Sequence, residues 1–145
     1  MLKAPDYTTA MYWFKKLVDE HSHISSMLYI GEMYQDGKGV AKDNGEAFNW
    51  YKKGADAGSR DGMNSVGASY LKGIGVAQDY AKAFECFRKS AGRDFPKGMY
   101  NLAYMYENGY GTSKDLSEAL IWYKKADERG YNSKQAIERL QSLKW

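Results

Sequence analysis

Few side chains in this sequence are grouped for covalent chemistry. His21 and His23 flank Ser22, a spacing that could begin a metal site, but the rest of a ligand set at zinc spacing is missing, so a turn between helices is the simpler reading. Cys86 is the one cysteine, which rules out an intrachain disulfide and fits a reducing compartment. Gly37-Lys38-Gly39, Gly73-Ile74-Gly75 and Gly109-Tyr110-Gly111 could be taken for phosphate loops. Each lacks the preceding strand and the third glycine that a dinucleotide cradle needs. No Ser-His-Asp set and no pair of acids that one fold would bring together can be found. The expectation is therefore a protein that is not an enzyme, with no cofactor and no bound metal.

The elements that would hold these residues are legible from composition and spacing. The chain has 145 residues, of which 27% are charged and 43% hydrophobic, a globular balance. Mean hydropathy is -0.69, and no apolar run is long enough for a membrane span. A net charge of +3 is too small to point to nucleic acid. Met1 to Asp6 carries no apolar core of signal-peptide length, and the expected location is cytoplasmic. Fifteen glycines stand beside 13 tyrosines and only 2 prolines, which a repeat with a glycine loop and an aromatic packing position would explain.

A shift of 36 residues superimposes the chain on itself without gaps. It carries Gly37 and Gly39 onto Gly73 and Gly75, then onto Gly109 and Gly111. It carries Tyr34 onto Tyr70 and Tyr106, Asp43 onto Asp79 and Asp115, and Ala47 onto Ala83 and Ala119. Tyr51 maps onto Phe87 and Tyr123, and Lys52-Lys53 onto Arg88-Lys89 and Lys124-Lys125. At an offset of 37, Asp6, Ala10, Trp13, Phe14, Lys15 and Lys16 match Asp43, Ala47, Trp50, Tyr51, Lys52 and Lys53. That is the second half of a further copy. The expected domain layout is a single unit: a half repeat at 6–24, whole repeats at 25–60, 61–96 and 97–132, and a capping helix at 133–145 with Ala136, Ile137, Leu140 and Leu143 at helical spacing.

Each copy reads as two helices. Met27, Ile30, Gly31 and Tyr34 form one face of the first, and the stripe recurs as Met63, Val66, Gly67 and Tyr70, then Met99, Leu102, Ala103 and Tyr106. The position held by Gly31, Gly67 and Ala103 stays small, as a close helix contact requires. Glycine suits the reversal after this helix, and the aspartate at 43, 79 or 115 suits the N-cap of the second. Asp43 with Glu46 and Asp115 with Glu118 have capping-box spacing. Asp94 replaces the turn glycine after the second copy, and Phe95-Pro96 opens the next helix. The paired basic residues fall late in each second helix, where they complement its dipole and solvate the outer surface. Cys86 takes the slot of Trp50 and Trp122, so it is expected to be buried and inert, with the second copy the least tightly packed.

This pattern of small-x-x-x-Leu/Ile/Val-Gly-x-x-Tyr, Gly-x-Gly-Val, Asp-x-x-x-Ala and Trp-Tyr-Lys-Lys resembles the Sel-1-like repeat (SLR), a 36-residue relative of the tetratricopeptide repeat, over nearly the whole chain. The resemblance implies an all-α fold, a right-handed α/α superhelix or solenoid of antiparallel helix pairs, about eight helices in all. It implies a scaffold or adaptor, with a peptide or protein partner held on the concave face lined by the first helices. On the side opposite the stripe those helices carry Tyr29, Glu32, Met33 and Asp36, then Ser65, Ala68, Ser69 and Lys72, then Asn101, Tyr104, Met105 and Asn108. A groove with a small centre and tyrosine and methionine flanks suits a helix or extended peptide. The partner expected is a protein, not nucleic acid or membrane, and the chain is expected to be a monomer. Two other readings belong beside this one. A single-domain SLR protein of this size could be an antitoxin-like immunity protein for one effector. Cysteine-rich members have proposed hydrolytic roles, which a chain with one cysteine does not inherit. Trp145 and Tyr12-Trp13-Phe14 could otherwise join copies end to end.

Overall fold

A computed structural model describes residues 6–143 and 145; residues 1–5, on which the signal-peptide reading rests, lie outside the described residues. Among the described residues there are eight α-helices and no strand. They are α1 (Tyr7–His21), α2 (Ile24–Asp36), α3 (Asn44–Asp56), α4 (Arg60–Lys72), α5 (Tyr80–Gly92), α6 (Pro96–Asn108), α7 (Leu116–Glu128) and α8 (Lys134–Ser142). Each packs on the next in the chain, and α4 also touches α6. The result is a solenoid in which α2, α4 and α6 are the first helices of the copies and α3, α5 and α7 the second.

The same local physics ends and restarts the helices in every copy. Gly37, Gly73 and Gly109 close α2, α4 and α6 in the left-handed conformation, with φ of 68°, 66° and 67°. The next loop glycine has a second reason to lack a side chain. A Cβ on Gly39 would lie 2.6 Å from the Tyr7 carbonyl carbon. One on Gly75 would collide with the Asn44 carbonyl oxygen, and one on Gly111 with that of Tyr80. Each loop thus seats on the first turn of the preceding second helix.

Asp43, Asp79 and Asp115 then cap α3, α5 and α7, each accepting a backbone N–H three residues on at 3.0 Å. The expected capping boxes are only half formed. The Asp43 and Asp115 N–H groups, which the glutamates would have taken, donate at 2.9 Å to the carbonyls of Tyr34 and Tyr106. A loop closing so tightly satisfies these donors with backbone, which leaves Glu46 and Glu118 nothing to bond there.

The small position in the first helix has a direct explanation. A Cβ on Gly31 would lie 2.7 Å from the Tyr51 ring, and one on Gly67 2.8 Å from Phe87. The aromatic residue of each second helix lies across the first helix at that point. The turns between copies are stitched by arginines. Arg93 donates to the Gly58 carbonyl at 2.8 Å, and Arg129, one copy further on, pairs with the Asp94 carboxylate at 3.0 Å. Asp94 holds the left-handed conformation (φ 62°) that glycine takes at 58 and 130.

Candidate functional site

The residues expected to line a groove lie on α2, α4 and α6, and the structure divides them. Tyr29 is 51% exposed and stacks on Phe14 of α1, with ring centroids 5.2 Å apart. Tyr104 is 38% exposed and leans toward Tyr110 at 6.0 Å. Glu32, Asp36, Lys72 and Asn108 are exposed, and Ser65, Ala68, Ser69 and Asn101 are half-buried. Asp36 pairs with Lys38 at 3.5 Å. The Asn108 amide donates back to the Tyr104 carbonyl at 2.9 Å, and the Ser69 hydroxyl to that of Ser65 at 3.1 Å.

Met33 and Met105 do not line any groove. They are 5% and 0% exposed. Met33 packs with Met11 of α1, and Met105 with Ala83 and Phe87 of α5. The reason is stacking: a first helix lies between its own second helix and that of the copy before, so it buries two stripes. Positions 33 and 105 belong to the stripe facing the preceding copy. Ser69 is the matching residue of α4.

What joins the first helices to one another is the pair Asn64 and Asn101. The Asn101 amide nitrogen donates to the buried Asn64 side-chain oxygen at 2.7 Å, bridging α4 and α6 directly. At the other end, Glu32, Asp36 and Asp61 form an acidic group. Although the Glu32 side chain is exposed, partial desolvation of its carboxyl, then the Asp61 and Asp36 carboxylates, hold it above its ordinary range, against the pull of Lys38.

One set of paired residues escaped the reading of the sequence. The Tyr51 hydroxyl donates to the Gln35 side chain at 2.9 Å, and the Tyr123 hydroxyl to Glu107 at 2.7 Å. Glu107 also takes a two-pronged contact from Arg139 of α8, at 2.6 and 2.7 Å. The second copy has Phe87 and Leu71 at the matching positions, so hydroxyl and acceptor are absent together. The signal was present in the chain as a change of residue type at two positions of one copy.

The other groups singled out in the sequence have structural duties. His23 is the N-cap of α2: its Nδ1 lies 2.8 Å from the Ser26 hydroxyl and accepts the Ser26 N–H. Lys53 and Lys125 lie over the Trp50 and Trp122 rings at 4.0 and 4.3 Å from the centroids. Cys86 is half-buried rather than enclosed, and burial pushes its thiol up, away from the reactive thiolate. Among the described residues, no three His, Cys, Asp or Glu side chains gather as a metal site, and no helix is long and apolar enough to cross a membrane.

Comparison with known proteins gives the family. The Sel1 repeat model matches residues 2–21, 24–59, 60–94 and 96–131. No curated protein matches the chain. Among solved structures, a Sel1 repeat protein from Oxalobacter formigenes is 31% identical, with a TM-score of 0.81 over 90% of this chain and 55% of that one. The protective antigen c5321 of uropathogenic Escherichia coli, which has an SLR fold, is 25% identical, with a TM-score of 0.81 over 94% of this chain and 34% of that one. The Helicobacter pylori cysteine rich protein B is 22% identical, with a TM-score of 0.67 over 91% of this chain and 94% of that one, a likeness of fold alone. The chain thus spans about half the length of the first of these proteins and a third of the second. Sel1 repeats are in general protein-interaction scaffolds and not typically enzymes. With the family model covering four successive stretches, and a 36-residue stride explained contact by contact, the chain belongs to the Sel1 repeat family.

Proposed function

We propose that the chain is an interaction module that holds a peptide or helix of a protein partner along the concave face carried by α2, α4 and α6. One observation carries this reading. Two large exposed tyrosines, Tyr29 and Tyr104, flank a low strip on α4 made of Ser65 and Ala68. Tyrosine gives wide contact area with a polar tip and little rotamer entropy to lose, and a strip of small side chains leaves room for a guest between them. The Asn64–Asn101 bridge holds α4 and α6 at fixed spacing beneath that strip. The acidic group of Glu32, Asp36 and Asp61 at one end favours a guest carrying a lysine or arginine there, since a cation would relieve the crowding of carboxylates.

The test begins with a partner captured on the tagged chain and identified by mass spectrometry. Its affinity is then measured by calorimetry for the parent and for Ala68→Arg. Position 68 corresponds to Glu32 and Tyr104 in the neighbouring copies; because Ala68 also touches the core of α5 and α6, circular dichroism and a urea melt of the variant check that the fold is kept. Binding is expected to weaken by tenfold or more, about 1.4 kcal/mol. An unchanged affinity, with the helical circular dichroism intact, would sink the concave-face reading.

A further inference from the structure

The second copy departs from its neighbours at one point of the repeat. In the first and third copies an indole lies between successive second helices. Trp50 packs on the cluster of Met11, Ile30 and Met33, and Trp122 on the one containing Ala91, Met99 and Leu102. Each indole carries a lysine ammonium over its face, Lys53 and Lys125 respectively. In α5 the matching residue is Cys86, whose side chain stops at the sulfur.

The space an indole would fill is open. A pocket of about 440 Å³ lies between α3 and α5 above α4. Its apolar floor is Ala55, Met63, Val66, Tyr70 and Cys86 with Ala81. Charged side chains ring its mouth, Lys89 among Lys52, Asp56, Lys82 and Glu85. The methionine of the first helix records the difference. Met27 and Met99 are 8% and 3% exposed in the copies that have tryptophan, whereas Met63 is only half-buried. Lys89 is the counterpart of Lys53 and Lys125; among the described residues it lies over no ring and closes no ion pair, though its charge reaches Glu85 at the same rim. An apolar hollow of this volume falls in the range of small-ligand pockets, and leaving it wet is unfavourable.

We infer that this pocket receives a tryptophan side chain presented by a partner polypeptide, with the Lys89 ammonium closing over the indole. The chain itself supplies the template: at the matching positions of two other copies, Met27, Ile30 and Tyr34 or Met99, Leu102 and Tyr106, a half-buried indole lies beneath a lysine. The occupant is thus apolar and aromatic, with its ring face available to a cation. The site uses the opposite side of α4 from Ser65 and Ala68, so it stands independently of the groove proposed above. Ala68→Arg leaves it untouched.

The experiment uses methyl-detected NMR of the whole chain with N-acetyl-tryptophanamide as probe. Saturable shifts are expected at the Met63 and Val66 methyls, with half-saturation at roughly millimolar concentration, the strength a single small group can reach. N-acetyl-leucinamide at the same concentrations should leave those methyls in place. Cys86→Trp, which fills the pocket from within, should abolish the response. Lys89→Gln, on the solvent side, should weaken it several-fold without altering the fold. Silent Met63 and Val66 methyls, an equal response to the leucine derivative, or an undiminished response in Cys86→Trp would each overturn the assignment. Shifts at these methyls that grow with protein concentration alone would show a tryptophan of a second copy in the pocket, and would overturn the assignment to a different partner.

Discussion

Tyr51, Phe87 and Tyr123 stand at one position of three successive copies, and each is matched by the residue sixteen places before it. A buried phenol needs an acceptor, and Gln35 and Glu107 supply one; where the ring is phenylalanine, Leu71 takes the acceptor's place. Burial, with Glu32 and Asp36 nearby, keeps the Tyr51 phenol protonated well above the ordinary tyrosine range, so its proton stays available to Gln35. Converting the first copy to the second therefore has a defined outcome. Gln35→Leu alone strands the hydroxyl and should cost about 1–2 kcal/mol, Tyr51→Phe alone about 1, and the pair together close to nothing. Urea denaturation of the four proteins in that cycle measures the coupling. Glu32 gives a second prediction at this scale. Its carboxyl binds a proton more tightly in the folded chain than in the unfolded one, so folding takes up protons and stability falls as pH rises from the ordinary glutamate range through the raised value. Glu32→Gln should raise the melting temperature at about pH 7, and the gain should vanish below about pH 3, where the parent carboxyl is protonated in both states.

At the scale of the helix, α8 shows how a helix covers the face of the copy before it. Ala136 and Leu140 bury against Ala103, Ala119 and Tyr123 of α6 and α7. The Arg139 fork on Glu107 fixes the angle at which α8 crosses. Leu140→Ala should destabilise the chain by about 3 kcal/mol through lost burial and the void left behind, read from the shift in urea midpoint at constant slope. The helix pairs, the glycine reversals and the aspartate caps were all legible in the sequence, because each depends on residues near one another in the chain. The positions of Met33 and Met105 were not. Whether a helix buries one stripe or two depends on its neighbours, and α1 and α5 cover those methionines from the copy before. Ser69 occupies the same register as a small polar residue, which hid the rule from a comparison of copies. The failed capping boxes have a similar origin, since the competing carbonyls of Tyr34 and Tyr106 come from the preceding helix.

For the whole molecule, contacts run from each helix to the next, so stability is carried by joints in series rather than by one central core. The joints are unequal. Met11 is the one residue that α1 buries, whereas α6 buries five, among them Met99, Leu102 and Met105. Native-state hydrogen exchange should therefore show the amides of α1 opening at much lower free energy than those of α6, with protection rising inward from the first helix. Uniform protection along the chain would mean a single cooperative unit instead. The loop glycines at 39, 75 and 111 set a rule for growth. Because each sits on the opening turn of the helix one storey below, the molecule can be lengthened only by whole storeys. Residues 61–96, spliced in again after position 96, would bring their own seat for the loop above and their own loop for the seat beneath. Any shorter insertion would leave a glycine hanging over the wrong carbonyl.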